Sequence, residues 1–222
     1  MDVSKEVKDG QAVYTRSVLS IYDLWVLGVS NSYIWKCPTR HILKHFNSHV
    51  SANHLDVGVG TGYYLDKGTF PDRAPRIALM DLNANSLDES SKRISRYRPE
   101  AYQVNVMDRI TLDIAPFDSI SVNYLFHCLP GSLETKLCVL DNLSPYLNNG
   151  GVIFGSTILS SAEGASAAAK KLMAIYNKKG IFSNADDRYE ALESYLSAHY
   201  EHYELQRIGC VVLFSVRGRL AG

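Results

Sequence analysis

The sequence has few cysteines, and none is spaced as a metal or redox motif requires. Cys37, Cys128, Cys138 and Cys210 are scattered over 222 residues, and no CxxC pair occurs. Paired or clustered cysteines are typical of zinc sites and of disulfide-rich secreted domains. Their absence predicts a reduced, cytoplasmic protein with no bound metal.

Long apolar runs and an excess of one charge are also absent. No 18 consecutive residues are apolar, which argues against a membrane-spanning helix, and residues 1–10 carry mixed charge instead of the apolar core of a signal peptide. The 23 Lys and Arg residues balance the 23 Asp and Glu residues, whereas nucleic-acid-binding proteins usually have a basic excess. We expect neither a nucleic-acid nor a membrane partner. The sequence leaves monomer and homodimer open.

Helical and strand-like patterns alternate along the chain without a linker rich in Pro, Gly or Ser. Helical spacing occurs at 12–29, 39–49, 86–96, 133–146, 167–175 and 186–200, and strand patterns at 53–58, 76–81, 101–106, 119–125 and 152–154. This alternation predicts an α/β domain with a parallel sheet covered by helices on both faces. Two last strands, 203–208 and 210–217, are separated at Gly209 and predict a C-terminal hairpin.

The segment from His54 to Leu65, HLDVGVGTGYYL, is the most informative part of the chain. An apolar strand runs into three glycines spaced two apart, and a helical pattern follows. Glycines allow positive φ and a close approach of the backbone to a ligand. The spacing G-x-G-x-G differs from the G-x-G-x-x-G dinucleotide fingerprint, and no Gly-Lys-Ser/Thr follows as in a P-loop.

With Asp56 two residues before the first glycine, the segment resembles motif I of the class I S-adenosylmethionine (SAM)-dependent methyltransferases. The resemblance implies a Rossmann-like, seven-stranded, mostly parallel sheet with an antiparallel C-terminal hairpin and an N-terminal helical cap. It implies one domain over 1–222, with the cap at 1–50, the SAM-binding core at 51–158, a lid and helices at 159–200 and the hairpin at 201–222.

Acidic and amide residues follow the next two strands, where ligands bind in open α/β sheets. Asp81 ends the second strand and can accept hydrogen bonds from both ribose hydroxyls. Asp108 follows the third strand, at a position that the resemblance assigns to the adenine amino group. The end of the fourth strand adds two further residues to this site. The cofactor site that the resemblance implies consists of Asp56, Gly58, Gly60, Thr61, Gly62, Tyr63, Asp81, Leu82, Asn83, Asn105, Val106, Met107, Asp108, Asn123 and Tyr124. The resemblance also implies that this site binds SAM as the cofactor and S-adenosylhomocysteine as its product.

The segment 117–130 resembles motif IV, and its Phe126, His127 and Pro130 resemble the strand end of the ubiquinone-biosynthesis-like small-molecule methyltransferases. The segment 147–154 resembles the turn and fifth strand that follow motif IV. His127 is the candidate general base, because its ordinary pKa lies near 6.5; alternatively it only shapes the pocket. Tyr22 is a second catalytic candidate through its phenol.

Aromatic residues ahead of motif I predict an acceptor site under the cap. Aromatic faces can hold a flat or cationic substrate, although core packing explains many aromatics at helical spacing. The acceptor-binding candidates in the cap are Tyr14, Trp25, Tyr33 and Trp35. His127 from motif IV is a further candidate, and a second lid after the fifth strand adds Thr157, Phe182 and Asn184.

The motifs of other methyltransferase classes are absent from this sequence. An amino-methylating nucleic-acid enzyme needs Asn/Asp-Pro-Pro-Tyr/Phe where this chain has Asn123-Tyr124-Leu125-Phe126. A metal-dependent catechol-type enzyme needs acids after the fourth and fifth strands, and a protein arginine methyltransferase needs two glutamates after the fourth. We therefore predict methyl transfer to a small molecule of secondary metabolism. The alternative is a protein that binds SAM without methyl transfer, as a cyclase-like or regulatory protein.

Overall fold

A computed structural model of the protein describes residues 30–160 and 165–220. The strands are β1 (Asn53–Val57), β2 (Arg76–Asp81), β3 (Glu100–Gln103), β4 (Phe117–Asn123), β5 (Leu147–Ile158), β6 (Tyr200–Ile208) and β7 (Val211–Arg219). They form one sheet in the order β3-β2-β1-β4-β5-β7-β6. The first five strands are parallel, and β7 pairs antiparallel with β5 and β6. The predicted sheet and its C-terminal hairpin are confirmed.

The helices that cover the sheet are α1 (Thr39–His49), α2 (Tyr63–Lys67), α3 (Ala84–Arg93), α4 (Leu133–Lys136), α5 (Cys138–Leu143), α6 (Ala167–Lys178) and α7 (Tyr189–His199). On one face, Phe46 of α1, Leu65 of α2 and Leu87 of α3 pack with buried strand residues. On the other face, α4, α5 and α7 contribute Leu133, Leu140 and Leu196 to the largest core cluster. Both faces are therefore covered, which is why β1, β2 and β4 are buried along almost their whole length.

A third apolar cluster covers the carboxyl end of β5. It contains Trp35 from the segment before α1, Met173 from α6, Phe182 from the segment after α6, and Val211 from β7. Of the two helices predicted ahead of the sheet, α1 agrees with its predicted range, and the first, 12–29, lies outside the described residues. Within the described ranges, no helix is both long and apolar enough to cross a membrane.

Several element boundaries differ from the sequence prediction. Strand β4 ends at Asn123 because Tyr124 adopts φ +55°, which an extended strand cannot continue. The predicted helix 133–146 is divided into α4 and α5, and a 3₁₀ turn that contains Pro145 completes it. Proline lacks the amide hydrogen that an α-helix needs there. Residues 148–151, which precede the predicted strand 152–154 and were expected to form the turn before it, belong to β5, whose pairing with β4 shifts register at this point.

Candidate active site

A cavity of about 170 Å³ opens at the carboxyl ends of β1, β2 and β4. Strands β1 and β4 are neighbours at the centre of the sheet, and the strand order reverses between them. The connections after these two strands leave in opposite directions and create a crevice, where ligands bind in open α/β sheets. The predicted motifs after the first four strands all converge on this point.

The glycine loop between β1 and α2 forms the floor of the cavity. Gly58, Gly60 and Gly62 all have positive φ, between +53° and +71°. A Cβ on Gly58 would lie 2.9 Å from Leu125, and one on Gly62 would lie 3.1 Å from Ser90, so these two glycines permit close packing of the loop. A Cβ on Gly60 would meet no atom within 4 Å. The backbone at Gly60 therefore presents an open surface on which a ligand can lie.

Asp81 lies at the end of β2, facing the glycine loop. Its carboxylate accepts a hydrogen bond from the Asn83 amide at 2.8 Å, and the amides of Val59 and Gly60 also donate to it. Burial raises the pKa of Asp81 to about 6, although these amides favour its charged form. The acid is thereby held in one orientation at the wall of the cavity.

Asp56 is the second acid in the cavity. Only 6% of its surface is exposed, and the Ser121 hydroxyl donates to its Oδ1 atom. Burial raises the pKa of Asp56 to about 7, the Ser121 hydrogen bond lowers it, and repulsion from Asp81 raises it further. A cationic ligand would favour the charged form of both acids.

Asn123 and Tyr124 line the cavity at the end of β4. The Ser156 hydroxyl donates to Asn123 Oδ1 at 3.1 Å, which orients the amide. Asn123 Nδ2 is buried and has no hydrogen-bond partner among the described residues. The Tyr124 hydroxyl donates to Asn31 Oδ1 at 3.0 Å. A buried donor without a partner costs free energy, so Asn123 fits a site whose ligand supplies an acceptor.

The third strand brings an amide and two valines to the cavity. Val104, Asn105 and Val106 line it, whereas Asp108 does not. The Asp108 carboxylate accepts a hydrogen bond from Asn105 Nδ2 at 2.9 Å. At this position the geometry therefore favours Asn105 over Asp108 as the polar group toward a ligand.

One group of lining residues is mainly apolar: Leu125, Cys128, Leu129, Pro130 and Ile181. The first four follow β4, and the last comes from the segment after α6. Such a wall excludes water and suits an apolar ligand.

Most predicted cofactor residues converge on this cavity. Those that line it are Asp56, Gly58, Gly60, Thr61, Asp81, Leu82, Asn83, Asn105, Val106, Asn123 and Tyr124. The described residues that form the cavity do not include Gly62, which caps α2, or Tyr63, whose ring lies under the Arg93 guanidinium. They also do not include Met107, which packs against the core, or Asp108. These four residues are placed beside the cavity and not in it.

His127 is buried behind the cavity and is not among its lining residues. Its side chain is 3% exposed, and its ring packs edge-on against Phe182, with 4.5 Å between centroids. The Ile158 amide lies 3.4 Å from His127 Nδ1 and donates to it. Burial, followed by repulsion from Lys136, lowers the pKa of His127 to about 3. A neutral imidazole with its lone pair occupied in this way is poorly suited to remove a proton.

The predicted acceptor-binding residues are also separated from the cavity. Tyr33 is 71% exposed, whereas Trp35, Thr157 and Phe182 are buried in the packing around β5. Asn184 is buried and donates to the Ile158 carbonyl at 2.9 Å. The predicted residues Tyr14, Tyr22 and Trp25 lie outside the described residues.

Other lining residues were not predicted individually. They are Val59, Tyr64, Met80, Ser86, Val104, Leu125, Cys128, Leu129, Pro130 and Ile181. The four that follow β4 lie inside the motif IV segment 117–130, so that motif was the available signal. Ile181 has no comparable signal, because only the packing of the segment after α6 brings it to the cavity.

Comparisons with known proteins agree with this geometry. A family model described as a methyltransferase domain matches residues 55–153. The demethylluteothin O-methyltransferase of Streptomyces thioluteus is 39% identical over 209 residues, covering 94% of this chain and 91% of that protein. The physcion biosynthesis cluster O-methyltransferase of Aspergillus chevalieri is 36% identical over 209 residues, covering 92% of this chain and 93% of that protein.

Solved structures share the fold at much lower sequence identity. The structure of the DhpI–SAH complex superposes with a TM-score of 0.69 and 14% identity. The superposition covers 97% of this chain and 96% of that one. The arrangement of the sheet and its helices is therefore common to both proteins.

Proposed function

This chain belongs to the class I SAM-dependent methyltransferases, and from that premise we propose that it methylates a small, largely apolar molecule at a hydroxyl oxygen. Membership confirms the predicted class of activity, SAM-dependent methyl transfer to a small molecule. The single observation that carries the finer proposal is that one cavity is lined by a group of acids and amides and by a group of apolar side chains, which we call its polar end and its apolar end. The two relatives described above are O-methyltransferases, which supports an oxygen acceptor here.

We assign the polar end of the cavity to SAM. The open backbone at Gly60 and the acid Asp56 face its amino-acid part, and Asp81 accepts hydrogen bonds from the ribose hydroxyls. Val106 packs against the adenine, and Asn105 bonds it. When bound, SAM would supply a methyl group on a positively charged sulfur: the acceptor oxygen would bond to the methyl carbon in line as the C–S bond breaks, S-adenosylhomocysteine would leave, and the hydroxyl proton would pass to solvent. The two acids and the unpartnered Asn123 amide fit a ligand with cationic groups and acceptor oxygens.

We assign the apolar end to the acceptor. Tyr124 stands between the two ends, and its hydrogen bond to Asn31 fixes the phenol. Leu125, Leu129 and Ile181 exclude water from the acceptor and hold it against the methyl group. Positioning of this kind can contribute about 7–11 kcal/mol to lowering a bimolecular barrier. An apolar aromatic molecule that carries a hydroxyl group fits this end.

His127 shapes the pocket wall in this proposal and does not act as the general base. Its imidazole supports Phe182, which packs in turn on Trp35 with 5.9 Å between ring centroids. The backbone carbonyl of His127 also accepts from the Ser183 amide at 2.8 Å, which ties the segment after α6 to the end of β4. A catalytic role for Tyr22 stays a prediction.

We further propose that the whole chain, 1–222, acts as one domain in the cytoplasm and without a nucleic-acid partner. Its formal net charge of zero supports the last point. Nucleic-acid binding depends on a basic surface that neutralises phosphates. We expect the protein to leave the electrophoretic mobility of labelled DNA and RNA unchanged at low salt.

Replacing Gly60 with valine is expected to remove SAM binding and leave the fold intact. The valine side chain would extend from the open surface into the cavity. Because residue 60 has a positive φ, valine there also adds a strain of about 1–2 kcal/mol. Isothermal titration calorimetry should show a loss of affinity of about 100-fold or more. Gly150→Val is the matched control, because Gly150 has φ +78° and open space but lies on β5, away from the cavity. Equal losses in both variants would mean that strain alone explains the effect.

Product analysis tests the acceptor class. When the protein is incubated with SAM and a panel of apolar phenols, we expect one molecule of S-adenosylhomocysteine for each molecule of O-methylated product, as measured by mass spectrometry. Matched aryl amines and thiols should give less product. SAM binding without product from any acceptor would contradict methyl transfer, and product only from the amines would contradict the oxygen assignment.

A variant of the apolar end sharpens this test. Ile181→Trp should raise the KM for the acceptor at least about tenfold and leave SAM affinity unchanged, because it fills the acceptor end alone. Ile175→Trp on α6, where Ile175 is 38% exposed, is the matched control. An unchanged acceptor KM in Ile181→Trp would place the acceptor elsewhere.

A further inference from the structure

A continuous chain of hydrogen bonds runs beneath the cavity through the interior of the sheet. Ser121 contacts Asp56 Oδ1 and lies 3.0 Å from His54 Nε2. His54 Nδ1 lies 2.8 Å from the Ser119 hydroxyl, which is 2.8 Å from the Ser51 hydroxyl. These residues alternate along β1 and β4, so they share one face of the sheet. The chain therefore links an acid in the cavity to the half-buried Ser51 ahead of β1.

His54 is the central member of this chain and is isolated from water. It is fully buried, and the rings of Phe46, Phe70 and Phe154 surround it with centroid distances of 5.5 to 6.2 Å. Burial lowers the pKa of His54 to about 3, so the imidazole is neutral near pH 7. A neutral imidazole has one N–H group and one lone pair, so it donates on one side and accepts on the other.

The charge of Asp56 sets the direction of these hydrogen bonds. When Asp56 is ionised, the Ser121 hydroxyl donates its single hydrogen to the carboxylate, and Ser121 must then accept from His54 Nε2–H. His54 Nδ1 then accepts from the Ser119 hydroxyl, and Ser119 accepts from the Ser51 amide at 2.9 Å. Every donor in this arrangement has an acceptor, as buried polar groups require.

We propose that His54 is a positioning residue for the cofactor site, because its Nε2–H tautomer acts through Ser121 to orient and stabilise the Asp56 carboxylate. The inference rests on the proposed function, since the group that Asp56 faces is the amino-acid end of SAM. His54 itself does not touch the cavity, which distinguishes its role from that of the lining residues.

The proposal has a consequence for the pH dependence of cofactor binding. SAM carries positive charge, so its binding favours ionised Asp56, and affinity should rise with pH and level off once Asp56 is ionised. Loss of the His54 donor makes ionisation less favourable, which moves the rise to higher pH. Of the described titratable groups nearby, Asp81 faces Asp56 from β2. His45 and His49 on α1 contact Phe154. These three groups are unchanged in a His54 variant.

Calorimetric titration with SAM from pH 5 to 9 provides the first test. We expect His54→Leu and Ser121→Ala to raise the midpoint of the affinity curve by about one pH unit. His54→Gln should restore the wild-type midpoint, because its amide can donate to Ser121 and accept from Ser119. His45→Leu is the matched control, since His45 is a half-buried histidine whose ring also packs against Phe154 but lies outside the hydrogen-bond chain.

A second readout needs no cofactor. Nitrogen chemical shifts of the His54 ring at pH 8 should identify the Nε2–H tautomer in the free protein, whereas the Nδ1–H tautomer would overturn the proposal. A wild-type midpoint in both His54→Leu and Ser121→Ala would also overturn it, as would an equal shift in His45→Leu. Failure of wild-type protein to bind SAM at any pH would instead contradict the proposed function, and the tautomer measurement would still decide the role of His54.

Discussion

Replacing Lys136 with methionine should lower the free energy of unfolding by about 3–5 kcal/mol. Lys136 and Asp187 are both buried, at 0% and 1% exposure, and the Lys136 Nζ atom lies 2.8 and 2.9 Å from the two carboxylate oxygens. Burial lowers the pKa of Lys136, and the attraction of Asp187 opposes that change. The methionine variant leaves an acid buried without a counter-charge, which is far more costly than the loss of one contact. Chemical denaturation measures the change.

Two further variants separate the charge effect from packing. Lys136→Met combined with Asp187→Leu should recover most of the lost stability, because no buried charge then remains. Lys92→Met is the exposed control: Lys92 pairs with Glu89 at 3.7 Å but is 63% exposed, so a change within about 0.5 kcal/mol is expected. A double variant as unstable as the single one would contradict the explanation.

The same ion pair holds one wall of the proposed active site. Lys136 Nζ also donates to the Ser183 carbonyl, so α4 is tied to the segment that carries Ile181 into the cavity. The hydroxyl and amide of Ser160 donate to the Asp187 carbonyl from the end of β5. In the double variant we therefore expect weaker acceptor binding even where the fold is restored.

Replacing Asp81 with alanine should weaken SAM binding by about 100-fold or more, which corresponds to about 3 kcal/mol. The carboxylate is held at the cavity wall by the amides of Asn83, Val59 and Gly60, so it is already oriented for two hydroxyl donors. In the proposed site, the alanine variant would lose both charge-assisted hydrogen bonds and leave the ribose hydroxyls without these acceptors. Calorimetric titration of SAM measures the loss.

Asp108→Ala is the matched control for Asp81→Ala. Sequence reasoning placed both acids in the cofactor site, but Asp108 accepts from Asn105 and does not line the cavity formed by the described residues. We expect Asp108→Ala to keep SAM affinity within about threefold. Equal losses in the two variants would return Asp108 to the site.

Asp81→Asn should unfold no earlier than wild type at pH 8, because a neutral side chain replaces an acid whose burial disfavours its charge.

Sequence reasoning predicted the fold more accurately than the site. Strand β2 and helix α1 have the predicted bounds because their apolar periodicity is strong and local. The helix predicted at 133–146 was wrong as a single element, since it is interrupted at Leu137, where α4 packs against α7, and ends in a 3₁₀ turn that contains Pro145. Local periodicity does not report how a chain segment bends to follow a neighbouring helix.

The site shows the same division between local and distant information. Asp56, Gly60 and Asp81 were predicted because each lies in a short motif next to a strand end, where the backbone positions the side chain. His127 was predicted as a base from its residue type and its place after β4. Its burial and the Ile158 amide that donates to its ring depend on elements 31 residues away in sequence.

The sequence alone determined the order of strands and helices, the glycine loop and the acids that end β1 and β2. These features follow from periodicity and backbone chemistry within a few residues. Only the tertiary structure decided that His54 joins Ser121 across 67 residues and that Lys136 finds Asp187 across 51. Burial and partner choice depend on which distant elements pack together, because a polar side chain is stable inside a protein only when another element supplies its counterpart.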